Sequence, residues 1–251
     1  MRKTKDASVL ITGGGSGLGE STARYLTERG AKVTITGRRE DKLRAVAEDI
    51  GCGWVAGDVT SADDRQRMID TAVAFGSGLD TLVNNAGNMY RGPIEELDEQ
   101  QLLGIFHSNV VGAMMLTGLA TTHLEKSAGS VMFMGSVHTR RAFPGASPYA
   151  ATKAAVTTLT HVLGAELGSR GIRVNCIVPG GVVTEINVRA GLATAEEALA
   201  RQSSMVSLQA MDRLGEGDDI AEAVEYLMNA EWVTGAVLDV DGGMGLGVSR
   251  G

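Results

Sequence analysis

The sequence predicts an α/β fold in one domain, 1–251, built on a doubly wound sheet of seven parallel strands with helices on both faces. Three observations carry that prediction. Short β-rich runs alternate with longer helical stretches along the whole chain. Several of the runs are apolar throughout, without the polar alternation of a half-exposed strand, as strands covered on both faces are. The chain has 251 residues, 43% of them apolar, which is enough to bury one substantial core.

The predicted strands are Ser8 to Thr12, Lys32 to Thr36, Gly53 to Ala56, Thr81 to Val83, Ser130 to Met134, Arg173 to Val178 and Ala236 to Val240. The segments between them leave room for crossover helices. Ser61 to Asp64 and Asp98 to Gln101 read as capping boxes at helix starts. Ile220, Ala223, Val224, Leu227 and Met228 mark one apolar face of a helix near the end of the chain. Residues 185–210 break the alternation and mix Ala and Met with polar groups, which predicts a helical flap over a pocket. The run from Gly242 to Gly247 reads as a tail.

The formal charge of -7, with no block of Lys or Arg, argues against a nucleic-acid partner. The basic opening Met1 to Lys5 lacks the apolar stretch of a signal peptide, and no segment approaches about 18 consecutive apolar residues. A cytoplasmic protein with no membrane partner is expected. Cys52 and Cys176 have neither C-x-x-C nor metal spacing and read as buried thiols. His107, His123 and His161 form no ligand group, so no metal is expected.

The first predicted strand runs straight into Thr12-Gly13-Gly14-Gly15-Ser16-Gly17-Leu18-Gly19 and then a helix. Glycines there permit positive backbone dihedrals and close approach, while the helix start offers free N–H groups to a pyrophosphate, so this end reads as a dinucleotide site. At the end of the second strand, where a carboxylate would select NAD, stands Thr36-Gly37-Arg38-Arg39. Arg38 suits a 2′-phosphate, which favours NADP(H) over NAD(H). Asp58 is a candidate acceptor for an adenine amino group, and Asn84-Asn85-Ala86-Gly87 a candidate crevice wall.

At the chemical end, Tyr149 and Lys153 are four residues apart, and a helix places them on one face. An ammonium beside a phenol stabilises its anion, fitting Tyr149 for proton transfer near neutral pH. Ser136 supplies a second hydroxyl for the developing oxyanion, and Asn109 is placed to position a water leading from Lys153 to solvent. Met89, His138, Phe143, Met205 and Leu208 hint at a partly apolar pocket, and Arg140 and Arg141 share the loop between Ser136 and Tyr149.

Taken together, the glycine turn Thr12 to Gly19, Asp58-Val59, Asn84 to Gly87, Asn109 to Gly112, Ser136 with Tyr149-x-x-x-Lys153, and Pro179 to Thr184 resemble the classical short-chain dehydrogenase/reductase family over essentially the whole chain. The resemblance implies a Rossmann fold and hydride transfer between a nicotinamide and a carbonyl or secondary alcohol, as in a ketone reductase or alcohol dehydrogenase. It implies catalytic roles for Asn109, Ser136, Tyr149 and Lys153. Cofactor contacts would come from Gly13, Ser16, Gly17, Leu18, Gly19, Arg38, Asp58, Val59, Asn85, Ala86, Tyr149 and Lys153, with Pro179, Val182 and Thr184 at the nicotinamide carboxamide. A homotetramer is implied, with the last strand between subunits. Ser16 departs from the basic residue that many NADP-preferring relatives carry. The alternative reading is a catalytically silent, NADP-sensing protein, since fold does not decide function.

Overall fold

The computed structural model describes residues 4–182 and 205–248. Seven strands form one sheet: β1 (Ser8–Thr12), β2 (Lys32–Gly37), β3 (Gly53–Ala56), β4 (Thr81–Asn84), β5 (Ser130–Met134), β6 (Arg173–Pro179) and β7 (Val237–Val240). Their spatial order is β3-β2-β1-β4-β5-β6-β7, and every pairing is parallel. All seven predicted strands form, with ends shifted by no more than one residue.

Strand residues alternate between two packed layers. Val9, Ile11, Val33 and Ile35 pack with helices α1 (Gly17–Glu28), α2 (Glu40–Ile50) and α7 (Gly217–Asn229) on one face. Leu10, Leu82, Val131 and Phe133 pack with α3 (Ala62–Gly76), α5 (Gly112–Ser127) and α6 (Ser147–Gly168) on the other. Both faces are therefore covered, which is why the strands read as unbroken apolar runs. On α7 the predicted stripe of Ile220, Ala223, Val224, Leu227 and Met228 is buried. Arg173, itself buried on β6, donates to the carbonyls of Leu227, Met228 and Ala230 at 2.6, 2.7 and 3.1 Å and so closes the C-terminal end of that helix.

Three local expectations change. Ser61 and Asp98 do cap their helices, accepting from the N–H groups of Asp64 and Gln101, but neither is a reciprocal box. The Ser61 N–H goes to Asp58 O and the Asp98 N–H to the Tyr90 hydroxyl. A reciprocal box stands instead at Glu216 and Asp219, where a carboxylate replaces the usual Ser or Thr at the cap. The segment from Gly242 to Gly247 is no loose tail: the Asp241 carboxylate accepts from the N–H groups of Gly243 and Gly245, and Met244 is fully buried.

The third change concerns a continuous helical rod, Glu99–Ser127, made of α4 (Glu99–Phe106), one wide π turn (His107–Val111) and α5. Among the described residues it is long and apolar enough to cross a membrane, with mean hydropathy 1.5 over an 18-residue window, contrary to the expectation from unbroken apolar runs. Ser108, Asn109 and Thr117 interrupt those runs, yet they are buried. Its apolar residues divide between an inner face, with Ile105, Leu116, Ala120 and Leu124 in the core, and an outer stripe of Val111, Met114, Met115 and Leu119.

Candidate active site

The sheet order reverses between β1 and β4, and there the carboxyl ends of the strands open into a cleft of about 1220 Å³. Its floor is held by the side chain of Thr12, at the end of β1. Thr12 Oγ1 accepts from the N–H groups of Asn85 and Ala86, at 3.0 and 2.9 Å, while the Asn85 amide donates to Thr12 O at 2.8 Å. Asn85 lines the cleft, but its amide braces the glycine turn against the loop after β4. Gly13 and Gly17 adopt φ of 69° and 58°, conformations that glycine takes without strain.

Gly13, Ser16, Gly17 and Leu18 face the cleft. Gly19 does not, and its expected contact is corrected to a packing role: a Cβ there would collide with Gly13 O and the Asn85 amide, so its absence lets α1 start tight against the turn. Arg38, Asp58, Val59 and Ala86 also line the cleft. Arg38 is 63% exposed and lies 3.9 Å from the Asp58 carboxylate, and Arg39 Nη2 donates to Ser16 Oγ at 2.8 Å. The glycine turn and the β2 end thus bring one hydroxyl and two guanidinium groups to the same rim. Asp58 accepts from the N–H and hydroxyl of Thr60. The bare turn and the guanidinium groups at its rim fit a nicotinamide dinucleotide.

Ser136, Tyr149 and Lys153 converge at the other end of the cleft. Pro148 sits in the first turn of α6, where its missing N–H has no intrahelical partner to lose, and the helix then carries Tyr149 and Lys153 on one buried face. Lys153 Nζ donates to Met134 O, at the end of β5, at 2.7 Å and lies 5.6 Å from the Tyr149 ring centroid. Burial pushes Lys153 down to about 8. Pro179 and Val182 complete this wall from the end of β6. Thr184 and most of the expected flap lie outside the described residues.

Asn109 stands behind the cleft wall, buried on the π turn. Its Oδ1 accepts from Asn88 N at 2.8 Å and Ser108 Oγ at 3.1 Å, and its Nδ2 donates to Asn88 O at 2.9 Å and Thr152 Oγ1 at 3.1 Å. Those four bonds fill the amide's capacity. The Asn109 side chain thus clamps the loop at Asn88 and joins it to α6.

Met89, His138, Phe143, Met205 and Leu208 all line the cleft, in keeping with a partly apolar chamber. Arg140 and Arg141 do not; Arg140 pairs with Asp239 and Arg141 donates to Leu208 O and Val248 O. Tyr90, Arg91, Gln101 and Gly104 line the chamber as well and escaped the sequence reading. They sit on a loop and one helix flank with no motif to mark them.

Known proteins share this sequence pattern and this fold. A family model described as enoyl-(acyl carrier protein) reductase matches residues 13–245. The glucose 1-dehydrogenase of Gluconobacter oxydans is 36% identical, over 95% of this chain and 91% of that protein. The L-fucose dehydrogenase of Bos taurus is 35% identical, over 96% and 90%. A solved short-chain type dehydrogenase/reductase from Mycobacterium ulcerans superposes with a TM-score of 0.89 at 29% identity, covering 99% of this chain and 93% of that one. With its strand order, glycine turn and Ser-Tyr-Lys cluster in place, this chain belongs to the classical short-chain dehydrogenase/reductase family of oxidoreductases.

Proposed function

We propose that the protein is an NADP(H)-preferring oxidoreductase that interconverts a carbonyl compound and its secondary alcohol, with Tyr149 as general acid and base. The observation that carries this reading is the meeting of Ser136, Tyr149 and Lys153 at one end of a cleft whose other end is a glycine turn. A nicotinamide dinucleotide bound there supplies the hydride donor or acceptor.

Ser136 and Tyr149 hold the substrate oxygen between two hydroxyl groups. In reduction Tyr149 gives its proton to that oxygen, and in oxidation it takes the proton back. Lys153 is anchored by Met134 O beside Tyr149, so its charge stabilises the negative charge that develops on the phenolic oxygen. The same ammonium is in place to bind the nicotinamide ribose. Arg38, Arg39 and Ser16 form the 2′-phosphate seat.

A homotetramer accords with the exposed apolar stripe of Val111, Met114, Met115 and Leu119, a surface suited to a second copy of the chain. The free, buried Cys52 and Cys176 accord with a cytoplasmic setting. The test of function is a panel of ketones, secondary alcohols and free hexoses, including glucose and fucose, assayed with both cofactors. Tyr149→Phe is expected to keep dinucleotide affinity and lose turnover by at least about a hundredfold. Near-normal turnover in that variant would remove Tyr149 from the chemistry.

A further inference from the structure

Ser136 caps the short 3₁₀ turn Val137–Thr139 from extended backbone. That geometry brings two nitrogen atoms of one neighbour onto its hydroxyl. The His138 backbone N–H donates to Ser136 Oγ at 3.4 Å, and the His138 ring places Nδ1 3.0 Å from the same oxygen. The ring has little freedom to turn away. Its centroid lies 4.5 Å from that of Phe143 and 5.1 Å from that of Tyr149, the latter edge-on at 87°. The turn beneath it is tied as well, with Thr139 Oγ1 donating to Ser136 O at 2.8 Å.

A hydroxyl has one proton to give and two lone pairs to offer. With Nδ1 bare, the Ser136 proton points into the imidazole, and a developing oxyanion meets a lone pair of its own sign. With Nδ1 protonated, the backbone N–H and the ring N–H of His138 engage both lone pairs, and the Ser136 proton is left for the substrate. The two arrangements differ in the position of one hydrogen, and one of them suits a donor to an oxyanion.

We propose that His138 is a positioning residue, which in its neutral Nδ1–H tautomer donates to Ser136 Oγ and thereby aims the serine proton at the substrate oxygen. This rests on the reading of Ser136 as a donor to substrate. Charge on the ring plays no part near neutral pH, because burial, helped by the positive charges of Arg91 and Lys153, pushes His138 down to about 4. Tautomer preference is therefore the quantity that matters, and the Ser136 contact sets it.

The chain has four histidines, His107, His123, His138 and His161, so long-range proton-nitrogen spectra of protein labelled at the histidine rings are readily assigned, with His138→Asn identifying the signal. Near neutral pH the His138 ring is expected to carry its proton on Nδ1, while the exposed His107 and His161 provide internal references. A ring protonated on Nε2 would overturn the proposal without any need for a substrate.

Kinetics supply the second arm, on a compound from the panel that the parent turns over. His138→Leu is expected to lower kcat about tenfold or more while dinucleotide affinity, followed by fluorescence, stays within about twofold. His138→Asn, whose amide nitrogen takes the place of Nδ1, is expected to recover most of that loss. Adding His138→Leu to Ser136→Ala should cost nothing further, because the histidine acts through the serine. Additive losses, or failure of the Asn variant to rescue, would reduce His138 to packing. If the panel yields no turnover with either cofactor, the proposed function fails, and the ring spectrum still decides the tautomer.

Discussion

Replacing Lys153 by Met measures what the buried ammonium costs the fold. Burial takes this lysine from 10.5 to about 8 in the folded chain. At about 1.4 kcal/mol per pH unit, that gap disfavours the charged folded form by about 3 kcal/mol. Because the folded value is the lower one, the unfolded chain binds more protons between the two, and stability rises with pH from about 8 to about 10.5. Below about 8 the penalty is present in full. Methionine removes it but leaves Met134 O without its 2.7 Å donor, a loss of about 1 kcal/mol. Without dinucleotide, Lys153→Met is therefore expected to be more stable than the parent by about 2 kcal/mol near neutral pH. That advantage should shrink by about 2 to 3 kcal/mol as pH approaches 10, because the parent sheds its penalty and the variant has none to shed. Denaturant unfolding of both proteins across this range gives the difference directly, and other titrations cancel in it. A difference that stays flat with pH would refute the argument. The stabilised variant should also bind dinucleotide poorly.

Arg38→Ala is expected to lower kcat/KM with NADPH by about tenfold to a hundredfold and to leave NADH nearly unchanged, measured at fixed ionic strength because Arg38 is exposed. A parent that already prefers NADH would overturn this assignment. Arg173→Met strips the carbonyls at the end of α7 of three charge-assisted hydrogen bonds, two from Nη1 and one from Nη2. Denaturant unfolding should show a loss of about 3 kcal/mol, whereas a loss below about 0.5 kcal/mol would mean those carbonyls find other partners. Light scattering at micromolar concentration should return a tetramer; a monomer would leave the apolar stripe on the helical rod without an explanation.

Much of the frame was legible because its signals are local. Strands buried on both faces announce themselves as apolar runs, the glycine turn follows β1 directly, and Tyr149 with Lys153 needs nothing beyond helical spacing. What the sequence concealed depends on pairs of residues distant along the chain. Asn109 was recognisable as a motif residue, but its clamp on Asn88 spans 21 positions and exists because of the turn that carries it. Gly19 was assigned to the cofactor and instead packs under the glycine turn, and Asn85, which does line the cleft, also braces that turn with its amide. The two capping boxes proved half correct because backbone N–H groups found partners outside the four-residue motif, at Asp58 O and the Tyr90 hydroxyl. Arg39 bonding to Ser16 likewise joins two motifs that the sequence presents 23 residues apart.

The wide turn at His107–Val111 has a consequence for how the rod divides its labour. A uniform α-helix fixes the angular phase of every residue by its distance along the chain, so one rod would have to present the same meridian to substrate, sheet and solvent. One slackened turn resets that phase midway. The first half lends Gln101, Gly104 and Ile105 to the chamber wall, and the second half seats Leu116, Ala120 and Leu124 under the sheet. That fixed offset sets which side chains of the second half meet the sheet and which form the outer apolar stripe, so deleting one residue from the turn would rotate Leu116, Ala120 and Leu124 off the core while leaving the chamber residues ahead of it in phase.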